Sequence, residues 1–343
     1  MKEVLNFGIV GYGMIAKIHA TCIDEIQGAK LIAVCGNNQN KAESFAASYG
    51  AQVYTDYDEM LANKDIDVVC ILTPSGTHAE LGMAAALSGK HIIVEKPIDV
   101  TLEATDKLLE TCRACHVKLC CISQHRYDPA IVELKKAVDT NQLGQLNFGV
   151  SRTTWYRSQE YYDSNSWRGT RALDGGGALI NQSIHYVDLL QYIMGPVDQV
   201  FSYCANRAHE RIEVEDIAAA TVKFKNGAIG FIEGNTAAYP GFSARLEIYG
   251  SEGSVIIEND QVKEWKFKSD RIEEPPKGEK NHIVGSSNAN ISHDSHKKQI
   301  QDFLLCIKED REPSVNGWEA RKTLEIILSI YQSSKTGLPV KIK

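Results

Sequence analysis

The sequence predicts an α/β protein in two parts: an N-terminal doubly wound parallel sheet, then an α+β domain with a large mixed or antiparallel sheet. Three observations predict it. Short apolar runs alternate with amphipathic stretches through the first third of the chain, a glycine-rich turn follows the first run directly, and the apolar period changes after about residue 124. A length of 343 residues suits two cores better than one, and the expected division is 1–123 and 124–343.

Strand candidates in the first part are NFGIV (6–10), KLIAVCG (30–36), VVCIL (68–72), HIIVE (91–95) and VKLCCI (117–122). They are continuously apolar, as strands buried on both faces must be. Helical patterns fill the gaps around 14–26, 39–49, 77–88 and 101–115. In the second part Asp128 and Pro129 open a helix to about 139, with Asp as N-cap and Pro in the first turn. LNFGVSRTTWYR, a polar loop rich in Gly and Tyr, and a helix over 175–190 come next. Period-2 strands then run from 198 to 267, with turn signals KNG (225–227) and GSEG (250–253). The polar stretch 268–296 is expected to be an exposed, partly mobile loop before helices at 297–309 and 317–333 and a short last strand.

Composition is that of an ordinary globular protein, 43% hydrophobic and 24% charged. A formal net charge of -7, with no Lys/Arg-rich block, argues against nucleic acid or an anionic membrane as partner. No signal-like segment precedes the first strand and no apolar run is long enough to span a bilayer, so a cytoplasmic protein is expected. The nine cysteines are scattered and several sit in strand-like runs, so they read as buried reduced thiols. The one CxxC (Cys112, Cys115), near His116 and Cys120, lies in a helical pattern without a second pair, and no metal is expected.

Gly11-Tyr12-Gly13-Met14-Ile15-Ala16 follows the first strand and opens a helix, the G-x-G-x-x-A form of the Rossmann dinucleotide fingerprint. Gly11 permits the tight turn, Gly13 the approach of a pyrophosphate, and Ala16 close helix–strand packing; Met14 and Ile15 begin the helix whose free N–H groups face the phosphates. The acidic residue that usually binds the adenine ribose is replaced by Gly36, Asn37 and Asn38, with Lys41 as the nearest cation. NAD and NADP both remain open as cofactor, with a slight lean to NAD.

The chemistry is expected at two other motifs. Glu95-Lys96-Pro97 ends a parallel strand, where ligands sit in such sheets; Pro97 fixes the backbone, and a lysine beside a cationic oxidised nicotinamide loses its proton more easily. In GGGALINQSIHYVDLL (175–190), Asn181 and His185 are four apart and share a helix face, with Asp188 one turn on. Asp188 either orients the imidazole or pairs elsewhere.

Together GYGMIA, TPSGTHAEL (73–81), EKP and the GGGAL…H..DLL run resemble the glucose–fructose oxidoreductase / inositol dehydrogenase (Gfo/Idh/MocA) family over nearly the whole chain. The resemblance implies a nicotinamide-dependent dehydrogenase acting on a secondary alcohol of a pyranose, nucleotide-sugar uronate or polyol. It implies Lys96 as the lysine of EKP, and residue 181 with His185 as the Asp-x-x-x-His pair flanking the carbon that loses hydride. Here residue 181 is Asn, which does not titrate, so proton transfer is expected to fall on His185, with Asn181 bonding sugar hydroxyls. Thr73, Pro74, His78, Glu95 and Gln124 are the expected cofactor side; Arg126, Tyr156, Trp167 and Arg168, with Arg171 nearby, are the expected substrate side. The run RSQEYYDSNSWRGT with Asn181 and His185 is similar to the branch that oxidises C3 of UDP-N-acetylglucosaminuronate. An NAD-dependent glycosidase working by transient oxidation, or a silent cofactor and sugar sensor, are the alternatives. The family further implies a homodimer or homotetramer through an exposed sheet face.

Overall fold

The computed structural model describes residues 2–269 and 293–342. They fall into two compact units, Met1–Gln124 with His293–Arg321, and His125–Ser292 with Lys322–Lys343.

The first unit alternates strand and helix: β1 (Leu5–Val10), α1 (Met14–Glu25), β2 (Ala29–Cys35), α2 (Gln39–Ala46), β3 (Gln52–Tyr54), α3 (Tyr57–Ala62), β4 (Val68–Ile71), α4 (His78–Leu87), β5 (His91–Val94), α5 (Leu102–Ala114) and β6 (Leu119–Cys121). The six strands are parallel in the order β3-β2-β1-β4-β5-β6. Strand order therefore reverses between β1 and β4, and the carboxyl ends there open the crevice in which such sheets bind ligands. The apolar runs bury on both faces, as Val68, Val69, Cys70 and Ile71 show in β4. The three-residue β3 and six-residue α3, too short to carry a period, are additions to the elements read from the sequence.

The second unit begins with α6 (Pro129–Asp139), β7 (Leu146–Thr154) and α7 (Gln159–Asp163). A π-helical stretch, Ala178–Ser183, then runs into α8 (Ile184–Met194). The strands β8 (Val197–Ala205), β9 (Ile217–Phe224), β10 (Ile229–Asn235), β11 (Arg245–Gly250), β12 (Gly253–Glu258) and β13 (Gln261–Phe267) come next. After residue 293 the chain forms α9 (Asp294–Glu309), α10 (Gly317–Thr336) and β14 (Val340–Lys341). The sheet is mixed, in the order β13-β12-β11-β7-β10-β9-β8-β14, with β10 parallel to β7 and every other pair antiparallel. Burial alternates along β9, so one face packs on apolar helices while the other is open.

Two expectations change. α9 starts at Asp294, inside the stretch read as a loop; the part of that loop at 270–292 lies outside the described residues. Residues 293–321 pack with the first unit rather than the second. The reason is the apolar stripe of α9, whose Ile300, Phe303 and Leu304 join the core of β1, α1 and β2. Gln299 also serves the edge strand β6, accepting from Ser123 N at 3.0 Å and donating to the Cys121 carbonyl at 2.8 Å.

Candidate active site

In the first unit the glycine turn is built for a close visitor. Gly11 has φ +93°, and a Cβ there would stand 2.6 Å from the Leu72 carbonyl oxygen, so no other residue fits. A Cβ on Gly13 would meet nothing within 4 Å. Gly13 is the N-cap of α1, which has no side-chain cap and no acidic residue in its first turn, so its first N–H groups and positive end of the dipole are available to an anion. Gly36 is required for another reason: a Cβ there would fall 1.9 Å from the Tyr12 ring. Tyr12 folds over the end of β2 and its hydroxyl bonds Asn37 Oδ1 and Asn38 N, both at 3.0 Å. Asn38 in turn caps α2 through Lys41 N. Asn37 is therefore exposed where a ribose-binding residue would stand, and Tyr12 is a wall that the motif alone does not reveal.

The loops after β4 and β5 are stitched together. His78 is buried, with Nδ1 2.7 Å from the Pro97 carbonyl and Nε2 2.9 Å from the Thr73 carbonyl. Burial pulls its pKa below the usual histidine range, against those carbonyls. A neutral ring donates to one of these two carbonyls, and His78 sits between the Thr73–Pro74 loop and the EKP turn with both within hydrogen-bond distance. Asp99 bonds Ala79 N at the start of α4, and Val100 and Thr101 N in its own loop. The Lys96–Pro97 peptide is cis. Glu95 also turns inward: Oε1 lies 2.8 Å from His19 Nε2 and 3.9 Å from His296 Nε2, and Oε2 accepts from Lys96 N at 3.2 Å. Burial raises its pKa, but His19, His296 and Lys96 outweigh burial and bring it down to about 2. Glu95 is thus a fixed buried anion behind Lys96, not an exposed cofactor ligand.

In the second unit two of the three glycines before the helix are explained by contacts. A Cβ on Gly176 would meet Tyr331 Oη at 2.2 Å, and one on Gly177 the Glu215 carbonyl oxygen at 1.9 Å. Glu215 caps the helix start, accepting from Gly177 N at 3.0 Å and Leu179 N at 2.9 Å, with Tyr331 Oη donating at 2.9 Å. The turns that follow are π-helical, a form often found at functional sites, and Ser183 Oγ donates to the Ala178 carbonyl five residues back. From 176 to 191 every residue is buried except Asn181 and His185. An amide and an imidazole are thus the two part-buried side chains of this stretch.

Asn181 is already engaged. Its Nδ2 donates to buried Asp174, and its Oδ1 accepts from Gln182 Nε2 at 2.9 Å. Gln182 Nε2 also reaches Tyr161 Oη at 2.9 Å, and Gln182 Oε1 accepts from Arg157 at 2.9 Å. The guanidinium of Arg168 lies 4.3 Å from the Tyr161 ring centre and 4.7 Å from that of Trp167. Tyr156 meets Tyr239 edge to face at 5.3 Å. Arg171 is exposed and bonds the Glu213 carbonyl, away from this cluster.

Arg126, expected on the substrate side, is bound to a carboxylate of the chain itself. It is buried, with Nε 2.8 Å and Nη2 2.6 Å from the carboxylate of Asp188, and it lies over the Tyr192 ring at 4.4 Å. Thr323 Oγ1 donates to the same carboxylate at 2.8 Å. The bidentate pair engages Nε and Nη2, and it settles Asp188 as a partner of Arg126. Asp128 is the N-cap residue of α6 without a capping bond, because its carboxylate goes to His125 instead.

The oxidoreductase family with a NAD-binding Rossmann fold (Gfo/Idh/MocA) matches residues 5–122, and its C-terminal alpha/beta domain matches residues 135–342. The chain belongs to this family. A scyllo-inositol 2-dehydrogenase (NAD(+)) of Bacillus subtilis (strain 168) is 27% identical over all of this chain and 97% of that protein. A myo-inositol 2-dehydrogenase of Thermotoga maritima is 25% identical over 99% of each. The WlbA dehydrogenase of Bordetella pertussis, solved with NADH and UDP-GlcNAcA, superposes with a TM-score of 0.88 at 30% identity over 99% of both chains.

As a Gfo/Idh/MocA oxidoreductase the chain is an enzyme of a family that binds a nicotinamide dinucleotide, and its residues fit that group. The cradle at Gly11 and Gly13 stands open, α1 is uncapped, and Gln124 Oε1 is buried with no donor among the described residues, an acceptor for an amide such as a carboxamide. The CxxC is not a ligand set: Cys112 is buried in α5 and burial pushes its thiol up to about 12. His19, Glu95 and His296, and likewise His125, Asp128 and Asp260, bring ligand-type atoms within 4.8 Å of one another. Their leading contacts, 2.8 and 2.6 Å, are hydrogen bonds, so both read as proton-sharing clusters. Among the described residues no helix is long and apolar enough to cross a membrane.

Proposed function

We propose that this enzyme is an NAD-dependent dehydrogenase oxidising a secondary alcohol of a pyranose or polyol, with a carboxylated, nucleotide-linked pyranose as the favoured substrate class. The observation that carries it is the helix buried from 176 to 191 except at Asn181 and His185. Leaving an imidazole and an amide only part-buried on a core helix makes sense where a hydroxyl is to be bound and deprotonated. Bound NAD supplies the acceptor for hydride. On the protein side, His185 takes the hydroxyl proton as the carbon gives up hydride, leaving a ketone and a protonated imidazole. Lys96 polarises the same hydroxyl or passes its proton on, and the anion at Glu95 keeps the strand end that carries Lys96 in place. Asn181, fixed by Asp174 and Gln182, holds a hydroxyl in reach.

Arg157 and Arg168 around Tyr161, linked to Asn181 through Gln182, support an anionic substrate, in keeping with the UDP-GlcNAcA bound by the WlbA dehydrogenase. NAD is favoured over NADP because Asn37 and Asn38, which follow β2, offer no guanidinium to a 2′-phosphate. The test is the near-ultraviolet absorbance of reduced nicotinamide, with NAD or NADP and a panel of free sugars, inositols and nucleotide-linked uronates. A rise with the uronates and NAD is expected; a rise confined to neutral sugars or inositols overturns the anionic substrate, and bound cofactor that is never reduced overturns the dehydrogenase. In the responding assay Lys96→Met and His185→Ala each lower kcat at least about a hundredfold. Near-normal turnover in either variant would remove that residue from the mechanism.

A further inference from the structure

His125, the first residue of the second unit, has no part in the reaction as described, yet its ring packs against that of His185. Its Nδ1 lies 2.6 Å from Asp128 Oδ2 and 3.4 Å from Asp260 Oδ1. Asp128 comes from the start of α6, where it forgoes a capping bond. Asp260 comes from the β12–β13 turn, in which Asn259 and Asp260 have φ of +46° and +63°, the two-residue hairpin geometry that turns the carboxylate toward α8. Tyr186 Oη donates to the same Asp260 oxygen at 3.2 Å. The His125 ring meets His185 edge to face, with centroids 5.0 Å apart and planes at 69°. It lies 6.3 Å from the Tyr186 ring.

The groups facing His125 are thus Asp128 from α6, Asp260 from the hairpin, and His185 and Tyr186 from α8. Arg126, next in the chain, is bonded to Asp188. Burial opposes a charge on His125, but Asp260 and Asp128 overcome it and raise its pKa well above the usual histidine range. Asp260 is lowered correspondingly by His125, against burial. The two carboxylates thus favour the charged form of the ring that meets His185.

We propose that His125 is a positioning residue for the base His185: it fixes the tilt of that imidazole and presents to it a positive charge in place of the two carboxylates it binds. The inference rests on His185 being the base. A cation at this distance disfavours a second charge on His185, so the ring stays neutral and ready to take a proton. Without His125, the two carboxylates would favour the charged, useless form.

The experiment is the pH dependence of kcat/KM for the wild type, His125→Gln and Asp260→Asn, with His185→Ala alongside. His125→Gln is expected to move the acidic limb up by about one pH unit, because both carboxylates then act on His185 unopposed. Asp260→Asn removes one anion and leaves the His125–Asp128 pair, so its limb moves the other way, to lower pH. Opposite displacements are the signature; unmoved limbs, or two displacements in the same direction, overturn the proposal. Should His125→Gln not fold, titration of the His185 ring by NMR in Asp260→Asn decides, and a midpoint equal to or above the wild type overturns it. His185→Ala separates the two claims. If it keeps its turnover, the base assignment fails and takes this inference with it; if it is inactive while the limbs stay put, the inference about His125 alone fails.

Discussion

At the scale of single residues, the departure at position 181 has a local cause. Asn181 donates to Asp174, which is 2% exposed and also accepts from Gly169 N. An Asp at 181 would set two carboxylates against each other, and only one could ionise at that contact. Asn181→Asp should therefore raise one carboxyl pKa in the folded state. A carboxyl raised above its unfolded value loses stability as pH rises through that interval, by about 1.4 kcal/mol for each pH unit that separates the two values. Urea unfolding of the variant is expected to match the wild type near pH 4 and fall below it by pH 8, and parallel curves would mean that Asp174 does not face residue 181. Arg126 gives a second contrast. As half of a buried pair it should, when changed to Ala, destabilise the fold by about 3–5 kcal/mol by leaving Asp188 uncompensated. A substrate-binding arginine would instead raise KM with little change in unfolding. Neither role is legible in the sequence, because Arg126 and Asp174 act through partners 62 and 7 residues away whose contact depends on the folded loop. His185 and Lys96 are legible, since each stands in a local pattern: a polar break in an apolar helix, and a lysine at a parallel strand's end.

At the scale of elements, the end of β5 is held by a triangle that no motif announces. His19 on α1 and His296 on α9 converge on Glu95, although they are 277 residues apart in sequence, and their contact exists only because the apolar stripe of α9 packs on the first unit. That same packing is why a division of the chain at 123 does not capture the units: hydrophobic period identifies α9 as a helix but not the core it joins. β1, β2, β4, β5 and β6 can be read in order because a strand buried on both faces leaves an unbroken apolar run, whereas β3 and α3 are too short to leave any. The π-helical turns read as an ordinary helix, since Ala178–Ser183 differs by one residue per bond and not in composition. The triangle also sets a pH dependence. Glu95 is held at about 2 against an ordinary 4.5, so the stability it contributes is complete above 4.5 and is lost as pH falls toward 2. This amounts to about 3 kcal/mol, at about 1.4 kcal/mol for each pH unit between the two values. Acid unfolding should be steep across that window in the wild type and shallower in Glu95→Gln; equal slopes would show that the acid transition belongs to other carboxylates.

At the scale of the whole molecule, one face of the eight-stranded sheet is left uncovered by the helices among the described residues. Register places Phe201, Thr221, Phe231 and Val150 side by side across β8, β9, β10 and β7, and Ile229 beside Phe148. Ile229 is 56% and Tyr203 71% exposed, and the guanidinium of Arg152 lies 5.9 Å from the Phe231 ring centre. The other face of the same strands is filled by Gly149, Gly230 and Ile232, with Met194 and Leu190 of α8 in contact with Gly149. The open row is apolar in the middle of the sheet rather than at its edges, which is unlike a face selected to meet water. We propose that a second copy of the chain covers it, sheet face to sheet face, because a two-fold contact lets one apolar row pack on its own image. Light scattering is expected to give a mass of at least two chains, and Phe231→Glu to lower it. Phe231 is part-buried, so circular dichroism of the variant must match the wild type for the loss of mass to count. A wild type that runs as a single chain at micromolar concentration would overturn the pairing and leave the face to another occupant.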